Sequence, residues 1–260
     1  VIDEAELSLK YPKAYAYLVS HKAELEARKD SRKTFAGRPD WYSLVRFGQL
    51  STFRKTKILS PGEVKGHKFC IDESGAGFSC ARVFAITVGE YINIKFLLCI
   101  LNSTIARVFL QSFSSLKSGG YYSYSSNILN RMPVPVLSSV AQQPLVEAAD
   151  KMMAMNSELS SKRENFLSRV RDNLTGAKMT GVLESFEELE FAGFLKELKK
   201  QKIKLALSAQ AEWEVFFNDS KAAVVALSAK IAKMYQTIDQ MVYALYGLTP
   251  DEIRIVDAGK

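Results

Sequence analysis

Two groups of residues in this 260-residue chain have the types and spacing to do chemistry. The first is Pro39-Asp40 followed at a distance by Glu63-Val64-Lys65, the bare arrangement of a metal-dependent nuclease. Two carboxylates would hold Mg²⁺ and the lysine would assist the attacking water. Such a site needs its carboxylates on adjacent strands. Asp40 stands directly before Trp41 in a loop and Glu63 follows the turn signal Pro61-Gly62, so surface turn carboxylates are the plainer reading. The second group lies between Ser114 and Val136: Lys117, Ser118, Gly119, Gly120, Tyr121, Tyr122 and Tyr124, closing on Met132-Pro133-Val134-Pro135. Paired glycines permit positive φ and close backbone approach. The tyrosines offer flat amphipathic rings, and Lys117 adds a positive charge. That combination suits a surface meeting phosphates and base edges. The alternative is a Ser/Gly-rich connector whose rings pack on the domain.

Other chemistries lack their motifs. There is no GxGxxG, GxxxxGK[ST] or GxSxG, so the dinucleotide cradle, the P-loop and the nucleophile elbow are missing. Gly75-Ala76-Gly77 reads as a hairpin turn. Cys70, Cys80 and Cys99 form no CxxC pair, and only His21 and His67 could join them at a metal. Buried or semi-buried free thiols in a reducing cytoplasm follow, with neither a catalytic residue nor a metal site expected. His21 reads as solvated beside Lys22 and Glu24; His67, between Gly66 and Lys68, could contact phosphate, a plain loop histidine being the simpler reading.

The net charge of +7 is unevenly spread. Residues 1–137 hold 19 Lys and Arg against 11 Asp and Glu, whereas residues 138–260 hold 16 against 17. The excess lies mostly between Lys10 and Lys68. This is the pattern of one part that meets a polyanion and another that packs or spaces. The candidate cations and polar base readers there are Arg38, Arg46, Gln49, Arg54, Lys55 and Lys57. The longest apolar stretch, Phe96 to Leu101, is far short of a membrane span. The basic segment has no amphipathic helix with a clean apolar face, so no membrane partner is expected. The opening VIDEAELSLK is neither apolar nor Arg-rich and begins on Val1. It reads as an internal stretch of a longer cytoplasmic protein without a signal or transit peptide.

These residues need elements to position them. Helical spacing of Tyr15, Leu18, Val19 and Leu25 predicts a helix over Tyr11–Arg28, followed by a basic loop to Asp40. Lys57-Ile58-Leu59 reads as a short strand before Pro61-Gly62, and Lys68–Ile71 with Phe78–Val88 as a hairpin. Asn93–Phe113 is apolar at helical period and reads as one core helix. Met132–Pro135 must be extended, because each proline pushes its predecessor out of the helical region. In the second half, Leu145, Ala148, Met152, Met155, Leu159 and Phe166 keep a seam over Gln142–Asn173. Val224, Leu227, Ile231, Met234, Ile238, Met241 and Leu245 keep a strict 3-4 alternation. A shorter helix over Phe186–Lys204 lies between them. Ser208 is the expected N-cap of the last long helix, Gly247 its stop, and Thr249-Pro250-Asp251-Glu252 the start of a final turn. The fold class is therefore an α+β domain, residues 1–137, followed by an α-helical, antiparallel coiled-coil-like arm, residues 138–260.

Several segments together resemble a known family. YPKAYAYLVSHKAELEAR (Tyr11 to Arg28), the block Trp41-Tyr42-Ser43-Leu44 with Arg46 and Gln49, and LCILNS (Leu98 to Ser103) resemble motifs of TaqI-like specificity domains. So do Gly119-Gly120-Tyr121 through Pro135, Glu212-Trp213, and IDQMVYALYGLT (Ile238 to Thr249), in the family's order along nearly the whole chain. These are the target-recognition domains of type IIG restriction–modification enzymes and related DNA adenine methyltransferases. The resemblance implies double-stranded DNA as a partner and an upstream methyltransferase domain of the same polypeptide as another. The family's cofactor-binding glycine motif and NPPY motif do not occur here. S-adenosylmethionine and Mg²⁺ are therefore expected only in upstream domains, with no cofactor and no catalysis in this stretch. Arg46 and Gln49 fall in a matched block, where each bidentate base contact would contribute about 1–3 kcal/mol of discrimination. Trp41 and Tyr42 read as core. The competing readings are a type I specificity subunit, which pairs two recognition domains where one is found here, the nuclease above, and a helical scaffold without a nucleic-acid role.

Overall fold

A computed structural model describes residues 2–30, 33–44, 50–75 and 83–259. Asp3 accepts the Ala5 amide at 2.9 Å and starts α1 (Glu4–Lys10), followed by α2 (Pro12–Ser20) and α3 (Lys22–Glu26). The single helix expected over 11–28 is thus broken at His21. Neither α2 nor α3 fully buries a side chain, so no packed face holds a longer helix together. β1 (Lys29–Asp30) and β2 (Lys33–Thr34) pair antiparallel, and α4 (Leu50–Arg54) leads into β3 (Lys57–Pro61). β4 (Glu63–Val64), β5 (Cys70–Asp72) and β6 (Val83–Ile86) follow.

β5 and β6 do not form the expected hairpin with each other. Both pair antiparallel with β3, in the order β5-β3-β6, with Ile58 opposite Ile71 on one side and Ile86 on the other. Ile58 is fully buried, so the strand carrying that core residue takes the centre.

The apolar run after residue 93 forms two helices, α5 (Ile94–Asn102) and α6 (Thr104–Ser112), bent by 68°. The break at Ser103 is fully capped. Its hydroxyl donates to the Ile100 carbonyl at 2.7 Å and accepts the Ala106 amide at 3.3 Å. Phe96 to Leu101 are all buried, which makes α5 the central helix. β7 (Leu116–Lys117) and β8 (Tyr121–Ser123) complete a second three-stranded antiparallel sheet, β4-β8-β7, before α7 (Ser126–Leu129).

α8 (Ser139–Asn173) begins at the Ser138 cap, three residues before the expected start. α9 (Gly181–Glu184), a 3₁₀ turn (Phe186–Glu188) and α10 (Phe191–Lys200) precede α11 (Leu207–Tyr246). Ala206, not Ser208, holds the N-cap position of α11, without a side-chain bond. Gly247 ends α11 at φ +66, and a Thr249/Glu252 capping box opens α12 (Pro250–Ala258). α8 and α11 pack antiparallel: Leu145–Met152 share a core with Ile238 and Val242, while Phe166 and Val170 meet Phe217 and Val224.

The core crosses residue 137. Ile58, Phe96, Ile100, Tyr124 and Leu129 lie in one cluster with Leu145, Met152, Ile231 and Val242. Two buried polar residues tie the helical pair to the α+β part. Gln142 accepts the Asn93 amide at 2.8 Å and donates to the Tyr91 and Leu137 carbonyls. Asp239, 8% exposed, accepts both the amide and the hydroxyl of Thr104 at 2.7 Å and so caps α6 from α11. Asp239→Ala is expected to lower stability by about 2 kcal/mol, because the Thr104 donors at a buried bend lose their acceptor. Urea denaturation followed by circular dichroism measures it, and a loss below about 0.5 kcal/mol would remove this role.

Candidate nucleic-acid interface

The β7–β8 hairpin places the glycine pair at its tip. Lys117 accepts the Gly120 amide through its carbonyl at 3.2 Å, and Gly119 sits at φ +80, the value that position i+2 of a type II turn demands. Gly120 follows at φ +77, and a β-carbon there would meet open space. Backbone conformation, then, is what requires these glycines. The strand period separates the rings: Tyr122 is half-buried and Tyr124 fully buried, while Tyr121 faces solvent. Ser118, Gly119 and Gly120 are exposed. Lys117 is half-exposed and reaches across the sheet to Glu63 at 2.6 Å. Because β4 pairs with β8, the chain after Val64 runs toward Tyr121, bringing exposed Lys65 to this edge. In the sequence Lys65 stands out only through the nuclease pattern, although the run Lys65-Gly66-His67-Lys68 is itself basic.

Arg38 is less available than expected. Its guanidinium clamps Asp40 at 2.8 and 2.6 Å and lies over the Phe35 ring, 4.8 Å from its centroid. Arg28 covers the same ring at 4.6 Å and donates to the Trp41 and Ser43 carbonyls. The Arg38 bond, helped by the Ser43 hydroxyl, holds the Asp40 carboxyl below its usual range. Trp41 is 1% exposed and donates its indole N–H to Glu4 at 3.1 Å, so it belongs to the packing.

Arg54 and Lys55, at the end of α4, are exposed. Lys57 is not the surface cation expected from its charge. It is 0% exposed, donates to the Phe53 carbonyl at 2.8 Å and forms a close ion pair with Asp72. It lies on the face of β3 opposite Ile58, held between Phe53 and Asp72, and a buried ammonium must be paired, so it cannot reach a phosphate. Arg46 and Gln49 lie outside the described residues.

The carboxylates of the nuclease pattern are each bound to a neighbouring cation, Asp40 to Arg38 and Glu63 to Lys117. Among the described residues no three His, Cys, Asp or Glu side chains converge as a metal centre. Cys70 is exposed. Cys99 is buried, donates to the Leu145 carbonyl at 3.3 Å and has its thiol pushed up to about 12 by burial, so it acts as a core residue. Cys80 lies outside the described residues. His67 is no ordinary loop histidine. It bridges the Tyr124 hydroxyl at 2.8 Å and the Leu101 carbonyl.

An α+β part with small antiparallel sheets, continued into a long helical region, defines the class of structure. Within that class, residues 5–134 match the family model described as the TaqI-like C-terminal specificity domain. The match covers half of the chain, which belongs to that family. Residues 138–242 match a domain of unknown function, DUF8810. Two curated relatives are similar. The type II methyltransferase M.XhoI of Xanthomonas vasicola is 29% identical over 54% of this chain and 25% of that protein. The type II methyltransferase M.PaeR7I of Pseudomonas aeruginosa is 23% identical over 55% of this chain and 24% of that protein. The chain spans about a quarter of the length of these relatives.

Proposed function

We propose that this chain selects the DNA target of a type IIG-like restriction–modification methyltransferase. The observation that carries the reading is a coincidence of segments: the specificity-domain match over 5–134 falls on the part that holds the whole basic excess. Duplex DNA is a polyanion, and a reader of it needs cations for phosphates and side-chain donors for base edges. Arg54 and Lys55 are assigned to phosphates. The exposed turn Ser118–Gly120, with Tyr121 and Lys117, is assigned to close backbone approach, Lys117 exchanging Glu63 for a phosphate. Arg46 and Gln49 remain the proposed base readers.

The helical part, from about residue 138, serves in this reading as an antiparallel coiled-coil-like spacer. It would hold the recognition part against a methyltransferase domain of the same cytoplasmic polypeptide. S-adenosylmethionine, Mg²⁺ and chemistry on a flipped adenine would belong to that domain, not to this chain.

Fluorescence anisotropy with a mixed-sequence duplex of about 36 bp, titrated with KCl, tests this. Binding is expected to weaken steeply with salt. Arg54→Gln/Lys55→Gln is expected to flatten the log–log slope by about 1–2 and to weaken binding about tenfold at low salt. Undetectable binding at low salt, or binding indifferent to salt, would sink the reading.

A further inference from the structure

Charge counted over residues 138–260 is nearly neutral, yet the nine residues Lys196 to Lys204 hold five lysines against Glu197 alone. That carboxylate is already engaged. It is 7% exposed and accepts the Lys200 ammonium at 2.7 Å and the Thr180 hydroxyl at 3.2 Å. Lys196, Lys199, Lys202 and Lys204 are exposed, and none forms an ion pair among the described residues. Gln201 adds a sixth lysine. It accepts the Lys178 amide at 2.7 Å and donates to the Lys178 carbonyl at 3.1 Å, fastening that exposed residue beside the end of α10.

The cluster sits on a firm base. Phe194 and Leu198 of α10 are buried in a distal core with Phe166, Phe186 and Phe217, where the Phe166 and Phe186 rings stack at 3.8 Å. The turn after α10 is closed by the Gln201, Lys202 and Ile203 amides on the Leu198 and Lys199 carbonyls. Lys202 stands there at φ +64, a left-handed position that glycine favours and the sole positive φ of a non-glycine among the described residues. Elsewhere on this head Arg163 binds Glu187 and Lys221 binds Glu190.

We propose that this lysine cluster is a second phosphate-binding surface, which grips duplex DNA beside the segment contacted by the α+β part. Ala148, in the shared core, and Val170, in the distal core, lie roughly 33 Å apart along α8 at about 1.5 Å per residue. One turn of duplex spans about 34–36 Å, so the head reaches phosphates about a turn away. Lysines are flexible point charges, suited to sequence-independent phosphate contact and not to base reading. A lipid surface fits less well, because Phe191, Phe194 and Leu198 of α10 are committed to the head core and not to an insertable apolar face.

The inference rests on the DNA-binding reading, and the test separates the two. The whole chain, wild type and Lys196→Gln/Lys199→Gln/Lys202→Gln/Lys204→Gln, is titrated on a mixed-sequence duplex of about 36 bp. Lys230→Gln/Lys233→Gln, on the exposed face of α11, is the charge control. The quadruple variant is expected to flatten the salt slope by about 2–3 and to weaken binding at least about tenfold near 50 mM KCl, while the control stays close to wild type. A quadruple variant with the wild-type slope overturns the head's role and leaves the α+β reading standing. A wild type that binds no duplex overturns both. Wild-type DNA binding together with lost pelleting on phosphatidylserine vesicles would reassign the cluster to lipid and overturn it too.

Discussion

Lys57→Met is expected to destabilise the folded chain by about 3–5 kcal/mol, the cost of leaving one member of a buried ion pair behind. The ammonium is fully buried and joins two elements, donating to the Phe53 carbonyl near the end of α4 and to Asp72 at the end of β5. Asp72 also accepts the Ser74 amide at 2.9 Å and the Ser74 hydroxyl at 2.6 Å. The Lys57 bond, then the Ser74 hydroxyl, brings the carboxyl down to about 2, so it is charged at any working pH. Methionine fills the space but offers Asp72 no counter-charge. Lys57→Met/Asp72→Asn removes the stranded charge, keeps an acceptor for Ser74, and is expected to recover most of the loss. Urea denaturation at neutral pH decides it, and a single-variant loss under about 1 kcal/mol would refute the buried-pair account. The folded fraction of the single variant should keep the wild-type salt slope on DNA, since Lys57 touches no phosphate.

Lys57 also shows why part of the interface was hidden in the sequence. Charge type argues for exposure. What overrides it is an aspartate 15 positions later on a neighbouring strand, a pairing that local pattern does not carry. The same limit explains β5 and β6. Both stretches were visible as strands, but their partner, β3, had to be known before their order could be. The bend at Ser103, capped by its own hydroxyl, is braced at Thr104 by Asp239, 135 positions away in the sequence, and apolar periodicity alone runs α5 into α6. Features fixed by neighbours along the chain were legible: α8 and α11 from their seams, the stop at Gly247, the opening at Thr249, and the glycine-tipped turn before the Pro-closed exit. The motifs carrying the family resemblance were legible for the same reason. The distal head was not. Six rings (Phe166, Phe186, Phe194, Trp213, Phe216 and Phe217) come from α8, the 3₁₀ turn, α10 and α11, and only packing shows that they form one core. Its lysine row was diluted by counting charge over half a chain.

Acidification is expected to weaken the fold through His67, by about 2–3 kcal/mol between neutral pH and pH 4. The ring donates from Nε2 to the Leu101 carbonyl, so Nδ1 is the acceptor for the Tyr124 hydroxyl, and the histidine is neutral. Burial brings its pKa down to about 4, against the raising effect of the Leu101 carbonyl and with help from the Arg107 charge. In the unfolded chain the same group titrates near its ordinary 6.5. Between those values the unfolded state takes up a proton that the folded state refuses. Stability is therefore complete above about pH 6.5 and drains away as the pH falls toward 4, at about 1.4 kcal/mol per unit of pKa difference. Protonation of Nδ1 would also replace the acceptor of the Tyr124 hydroxyl with a second donor, against a ring that is 1% exposed. His67→Gln cannot titrate. It should be less stable than wild type at pH 7, and the gap should close by about pH 4, while every carboxylate contributes equally to both chains. A gap that stays constant from pH 7 to 4 would mean that His67 titrates alike in the folded and unfolded states. The Tyr124–His67–Leu101 link would then be a packing contact and not a neutral-histidine bridge between the residue after β8 and α5.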